Sequence, residues 1–160
     1  MPRTRGGSGG ARALPAGSIT VLHIDDDPND TELLKAAARR ANIDCVLRNV
    51  EDGEQAIAYL SGAGEFANRS HYSMPSLILL DLKMPRATGL EVLKWIRANR
   101  NLEAIPVVIL SGSELQDDIQ QAYEIGANSY LIKPLGFEAL VSMVRNIETV
   151  WLSQASRPRA

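Results

Sequence analysis

The chain has 160 residues, of which 45% are hydrophobic and 22% are charged, with a formal net charge of −2 and a single cysteine. These values are ordinary for one globular domain, and one cysteine excludes an internal disulfide, which suits a reducing cytoplasm. All 19 acidic residues lie between residues 18 and 156, whereas five of the 17 basic residues lie in the two tails. This acidic body argues against nucleic-acid binding, and no apolar run reaches the roughly 20 residues that span a membrane.

Residues 1–17 are rich in Gly, Ser, Pro and Arg and show no periodicity, which predicts a flexible tail. Their glycines do not form a nucleotide-binding loop, since no strand precedes them and no helix follows. We expect one folded domain over residues 18–153 and a short tail over residues 154–160.

From Ile19 onward, short apolar runs alternate with helical patterns through five units. The predicted strands cover residues 19–24, 45–50, 77–80, 105–110 and 130–132. The predicted helices cover residues 28–42, 52–61, 88–100, 113–126 and 137–151. This alternation predicts an α/β fold with a doubly wound, five-stranded parallel sheet of order 2-1-3-4-5.

Several helix starts and one long connection are readable from local sequence. Asp27 before Pro28 is typical of a cap followed by the first helical residue. Thr88 with Glu91 predicts a capping box for the third helix, and Ser113 with Gln116 predicts one for the fourth. Residues 62–75 form a connection that is long for this architecture, and we expect an exposed loop.

Polar side chains follow four of the predicted strands. Asp25 and Asp26 follow strand one, Asp81 follows strand three, Ser111 ends strand four and Lys133 ends strand five. In an open α/β sheet, ligands bind beyond the carboxyl ends of the strands where the strand order reverses, which here lies between strands one and three. Three carboxylates in one crevice repel one another unless a cation neutralises them, and an all-oxygen site suits Mg²⁺.

This set of side chains suits phosphoryl transfer, which needs a nucleophile and fixed positive charge. Asp81 is the predicted nucleophile and forms an acyl phosphate. Lys133 and the Ser111 hydroxyl are expected to reach the phosphoryl oxygens. The predicted metal ligands are Asp25, Asp26, Asp81 and the backbone carbonyl of Lys83. A single Asp at a strand end is more often a helix cap, and Asp27 is interpreted in that way.

Four motifs resemble the receiver domain of bacterial two-component response regulators: the triplet Asp25-Asp26-Asp27 and the blocks LLDLKMPRATG, PVVILSGS and GANSYLIKPL. The resemblance covers residues 18–152 and implies the flavodoxin-like receiver fold. It implies a Mg²⁺-dependent phospho-acceptor at Asp81, with Ser111 as switch hydroxyl, Tyr130 as switch aromatic and Lys133 as the family's lysine. It also implies a cis peptide bond between Lys133 and Pro134, and a relay with at most self-phosphorylation and self-dephosphorylation activity instead of an enzyme.

The loop GAGEFANRSHYSMPSLILLDL and the ending IETVWLSQASRP resemble the small single-domain regulators paired with bacterial and cyanobacterial phytochrome histidine kinases. This resemblance implies a phytochrome-type sensor kinase as partner and a homodimer. Only a short segment follows Trp151, so we expect signalling through protein contacts. Trp151 itself is either a packing residue or part of a dimer contact.

Two other functions are compatible with parts of the sequence. Asp25 and Asp27 form the Asp-x-Asp of haloacid dehalogenase phosphatases, but that family needs further acidic ligands after its lysine, and only two helical glutamates follow Lys133. A receiver used as an unphosphorylated docking domain is disfavoured because every chemical residue is present. His23 is expected to be a core residue and His71 a solvated loop residue.

Overall fold

The computed structural model describes residues 18–84 and 86–153 of the chain. The strands are β1 Thr20–Ile24, β2 Val46–Val50, β3 Leu77–Leu80, β4 Val107–Ser111 and β5 Ser129–Ile132. The helices are α1 Pro28–Arg40, α2 Gly53–Ser61, α3 Gly89–Ala98, α4 Gln116–Ile125 and α5 Phe137–Ile147, which continues as a π-helical turn over Glu148–Leu152. The tails expected over residues 1–17 and 154–160, and the turn residue Pro85, lie outside the described residues.

The five strands form one parallel sheet in the order β2-β1-β3-β4-β5, which confirms the predicted topology. All four residues of the central strand β3 are buried, because helices cover both faces of the sheet. Ile78 and Leu80 pack in the layer under α2 and α3, whereas Leu77 and Leu79 pack in the layer under α1 and α5. In the described ranges, no helix is long and apolar enough to cross a membrane.

Two predicted helix starts are confirmed. The Asp27 side chain accepts a hydrogen bond from the Asn29 N–H at 2.9 Å, and Pro28 is the first residue of α1. At the start of α3, the Thr88 hydroxyl accepts from the Glu91 N–H while the Glu91 carboxylate accepts from the Thr88 N–H at 2.7 Å. This capping box fixes where the chain enters α3.

The predicted capping box of α4 is wrong. The helix begins at Gln116 after Leu115, and no side chain caps it. The Ser113 hydroxyl instead donates to the Asp118 carboxylate at 2.5 Å. A charged acceptor forms the stronger bond, so Ser113 is drawn to the first turn's carboxylate instead of serving as the cap. The start of α4 is therefore held by the bond between Ser113 and Asp118 instead of by a side-chain cap.

The connection over residues 62–75 is largely exposed, as expected, but its aromatic residues pack against α2. Phe66 is buried, and its ring centroid lies 5.1 Å from that of Tyr59 and 5.2 Å from that of Tyr72. Arg69 donates to the Leu60 carbonyl in α2 at 2.9 Å and to the Tyr72 carbonyl in the loop at 3.0 Å. His71 lies in this loop, as predicted, but it is half-buried with its ring against Tyr72 and is therefore only partly solvated. Aromatic rings bury enough apolar surface to order a segment of irregular backbone.

The Tyr59 hydroxyl ties this loop to α2, because it donates to the Ser73 carbonyl at 2.8 Å. We expect Tyr59→Phe to lower the free energy of unfolding by about 1 kcal/mol, the usual loss when one partner of a buried hydrogen bond is removed. Urea unfolding measures this loss. Tyr72→Phe is the matched control, since the Tyr72 hydroxyl makes no hydrogen bond within the described residues. An equal loss of stability in both variants would show that the bond from Tyr59 to Ser73 contributes nothing specific.

Candidate functional site

The ends of β1 and β3 bring the carboxylates together. Asp25 and Asp81 are the residues that follow these adjacent strands, and the Asp81 N–H donates to the Ile24 carbonyl at 2.9 Å. Asp25, Asp26 and Asp81 each offer an oxygen within 4.8 Å of the others. Asp25 and Asp81 are buried while Asp26 is exposed, so the cluster opens to solvent on one side.

Lys133 reaches the same cluster from the end of β5. The Lys133 N–H donates to the Ser111 carbonyl at 2.9 Å, which fixes the backbone beside β4. Its Nζ lies 3.1 Å from Asp25 Oδ2 and 3.3 Å from Asp81 Oδ2. The peptide bond to Pro134 is trans, so the implied cis bond was wrong. The trans form is the lower-energy isomer before proline, by about 0.5–1 kcal/mol.

Two residues contact the site in ways that the sequence did not predict. Asp30, in the first turn of α1, has its Oδ2 2.6 Å from Lys133 Nζ. His23 is a buried core residue, as predicted, but its Nε2 also lies 3.5 Å from Asp25 Oδ2. No sequence pattern predicts either contact, because both depend on how α1, β1 and β5 pack together. An acidic residue at a helix start and a histidine in a buried strand are each common without such a role.

The two buried carboxyls have opposite electrostatic behaviour. Burial alone would raise the pKa of Asp25, but hydrogen bonds from His23 and the Asp27 N–H, together with Lys133, lower it to about 2. Burial raises the pKa of Asp81, and the Asp25 charge adds to this effect while Lys133 only partly offsets it. Burial would lower the pKa of Lys133, but its carboxylate neighbours raise it instead. Asp25 is thus ionised at neutral pH, and an added cation would stabilise the ionised form of Asp81.

Ser111 and Tyr130 meet at Ser113 instead of at Asp81. Ser111 is buried, and its hydroxyl oxygen accepts from the Ser113 N–H at 3.2 Å. The Tyr130 hydroxyl donates to the Ser113 carbonyl at 2.8 Å. Within the described part of the chain, neither hydroxyl is hydrogen-bonded to Asp81. Their switch roles therefore stay predictions, with Ser113 as the residue that links them.

The backbone after Asp81 is held by close approach of α3. The Lys83 N–H donates to Asp81 Oδ1 at 3.4 Å, and the Lys83 side chain is exposed. A Cβ added at Gly89 would lie 2.3 Å from the Asp81 carbonyl oxygen and 2.6 Å from Leu82 Cα. Only glycine therefore allows α3 to start this close to Asp81. The role of the Lys83 carbonyl as a metal ligand stays a prediction.

The carboxylates fit a small divalent cation. Ligand distances of about 2.0–2.1 Å place the oxygens around Mg²⁺ about 3 to 4 Å apart. The 4.8 Å spread of the three Asp oxygens is close to that spacing and needs only small side-chain adjustments. The exposed side of the cluster leaves room for water and for an anionic group.

Comparisons with known proteins agree with this geometry. Residues 21–145 match the family described as response regulator receiver domain. Response regulator Rcp1 of Synechocystis sp. is 38% identical over 140 residues, which cover 88% of this chain and 93% of Rcp1. Among solved structures, the phosphorylated cyanobacterial phytochrome response regulator RcpA has a TM-score of 0.79 at 37% identity, covering 89% of this chain and 99% of RcpA. RPA3017, from red light signalling of R. palustris, has a TM-score of 0.81 at 37% identity with the same coverage.

Receiver domains accept a phosphoryl group on an aspartate and bind a divalent metal at their acidic site, and they generally act as relays instead of catalysts. Rcp1 has been solved in a Mn²⁺-bound form. The family match favours this interpretation over a haloacid dehalogenase phosphatase. With the match spanning residues 21–145 and the acidic cluster at the end of β1 and β3, this chain belongs to the response regulator receiver domain family.

Proposed function

We propose that this receiver domain accepts a phosphoryl group from a sensor histidine kinase onto Asp81 and relays the signal through contacts with other proteins. The supporting observation is the surroundings of Asp81. Its carboxylate is buried, lies 3.3 Å from the Lys133 ammonium and shares a metal-sized cluster with Asp25 and Asp26. Nucleophile, fixed positive charge and cation ligands are the parts that phosphoryl transfer requires.

In the proposed step, a carboxylate oxygen of Asp81 attacks the phosphorus held on a kinase histidine. The new P–O bond forms as the P–N bond breaks, and the electron pair of that bond stays on the histidine nitrogen. Lys133 donates to a phosphoryl oxygen, and the Ser111 hydroxyl caps another. Mg²⁺, held by Asp25, Asp26, Asp81 and the Lys83 carbonyl, would neutralise charge on the phosphoryl oxygens.

The signal leaves the site through Ser113. The phosphoryl group adds about −1.5 to −2 charge, which attracts the Ser111 hydroxyl. When Ser111 turns, it gives up the bond from the Ser113 N–H, and the Ser113 carbonyl is held in turn by Tyr130. The outer surface next to Tyr130 is formed by α4, β5 and α5, and carries exposed apolar side chains at Leu115, Tyr123, Ile132 and Leu135. This surface is the proposed contact region for partners.

The proposed kinase partner is of the phytochrome type, because RcpA is described as a phytochrome response regulator and RPA3017 as acting in red light signalling. We also propose a cytoplasmic homodimer that binds neither nucleic acid nor membrane and whose own chemistry is limited to self-phosphorylation and self-dephosphorylation. Trp151 is half-buried and packs against the layer under α1 and α5, which supports a packing role for this residue.

Phosphotransfer from a panel of purified histidine kinases tests this proposal. We expect a phytochrome-type kinase to label the domain fastest, with Mg²⁺ required. Faster labelling by an unrelated kinase would overturn the choice of partner but not the phospho-acceptor. If no kinase and no small phosphodonor labels the domain, and beryllofluoride with Mg²⁺ does not bind either, the unphosphorylated docking receiver is the better description.

A further inference from the structure

Asp30 is the best-formed hydrogen-bond partner of the Lys133 ammonium. Lys133 Nζ lies 2.6 Å from Asp30 Oδ2, compared with 3.1 Å from Asp25 Oδ2 and 3.3 Å from Asp81 Oδ2. Charge-assisted N–H···O bonds are strongest at about 2.7–2.9 Å. The Lys133 ammonium, which is expected to bind the phosphoryl group, is therefore held toward α1. Its contact with Asp81 is the longest of the three.

The three contacts use the full donor capacity of the lysine. An ammonium group has three N–H donors, and three carboxylates surround this one. A phosphoryl group on Asp81 adds oxygens that need the same donors. It therefore competes with the carboxylates that already hold Lys133.

The partner that can release Lys133 is Asp30. The Asp25 and Asp81 side chains are 0% and 9% exposed, whereas that of Asp30 is 32% exposed. Asp25 is further held by the Asp27 N–H at 2.9 Å. Asp30 lies in the first turn of α1, where the helix dipole stabilises a negative charge. Because Asp30 is partly exposed, water can replace Lys133 at its carboxylate, which is not possible at the two buried ones.

We propose, on the basis of the proposed function, that Asp30 is a positioning residue that withholds Lys133 from Asp81 in the resting domain. The negative charge of Asp30 and its contact with Lys133 have the same effect on the affinity for each ligand, anion or cation. Both weaken the binding of an anion at Asp81, and both favour a cation among Asp25, Asp26 and Asp81. Asp30 thus sets the balance between metal affinity and phosphoryl affinity.

Asp30→Asn tests this role, because it keeps the shape of the side chain and removes its charge. We expect beryllofluoride at saturating Mg²⁺ to bind about threefold to tenfold more tightly, as one unit charge several ångströms away would produce at high effective dielectric. Mg²⁺ alone should bind about threefold to tenfold more weakly. Titration calorimetry gives both dissociation constants. Asp30→Glu, which keeps the charge, should return both toward the parent values.

Glu32→Gln is the matched control. Glu32 lies on the same helix and loses the same charge, but its carboxylate contacts Lys35 at 3.8 Å instead of Lys133. We expect little change in either constant for this variant. A loss of both affinities in Asp30→Asn, no change in either, or the same opposed changes in Glu32→Gln would each overturn the inference. A parent domain that binds Mg²⁺ but not beryllofluoride would instead refute the proposed function, and this inference with it.

Discussion

Asp81→Asn is expected to abolish phosphoryl acceptance and, at the same time, to stabilise the metal-free domain. The amide has nearly the shape of the carboxylate but is too weak a nucleophile to form the acyl phosphate. The other two carboxylates of the cluster differ from Asp81. Asp26 is exposed, and the partners of Asp25 already lower its pKa to about 2. Labelling by a kinase should therefore fall to background.

The stability gain follows from the raised pKa of Asp81. Burial and the neighbouring Asp25 charge make the ionised form less favourable in the folded protein than in the unfolded chain. A carboxyl with a raised folded pKa therefore costs stability at pH values above that pKa, and the cost disappears when the group is neutral. We expect the neutral amide to raise the free energy of unfolding by about 1 kcal/mol in the presence of a chelator, measured with urea.

Asp27→Asn is the control for this experiment. Asn caps a helix as well as Asp does, and the Asp27 side chain is bonded to its own helix at Asn29. Labelling and stability should both stay near the parent values. Normal labelling of Asp81→Asn would show that another residue accepts the phosphoryl group, and a lower stability would contradict the electrostatic account of Asp81.

Arg97→Ala is expected to cause the largest loss of stability, about 3 kcal/mol. Arg97 Nε donates to the Gly126 carbonyl at 2.9 Å, and Nη1 donates to the Glu103 and Ile105 carbonyls, both at 3.0 Å. Nη2 donates to Asn128 Oδ1 at 2.7 Å. One guanidinium therefore joins the end of α3, the chain leading to β4 and the turn after α4. Its partial burial lowers the pKa of Arg97.

Two further variants separate hydrogen bonding from charge. Arg97→Lys keeps the charge but cannot reproduce the planar fork, so most of the loss should remain. Arg100→Ala removes an exposed cation close by in the chain and should change stability by less than about 0.5 kcal/mol. Urea midpoints compare all three variants. An Arg97→Ala loss no greater than that of Arg100→Ala would show that the four bonds contribute little.

The order of the strands and the members of the acidic cluster were predictable for a physical reason. Strands covered on both faces, such as Leu77–Leu80, leave continuous apolar runs, and parallel strands bring their ends to one edge. The hold of Asp30 on Lys133 and the proximity of His23 to Asp25 were not predictable, since they arise from packing between elements distant in the chain. The start of α4 was misplaced because a local pattern at Ser113 competes with a nearby carboxylate at Asp118.

The two ends of α4 differ in how they are held. Its first turn has no side-chain cap and follows the loop in which Ser113 contacts both Ser111 and Tyr130. Its last turn ends at Gly126, whose carbonyl is bonded to Arg97. Because the Ser113 hydroxyl is bonded to Asp118 in the first turn, we expect a shift of Ser113 to move that turn more than the last turn, which Arg97 holds. Leu115, which lies exposed just before the helix, would move with it.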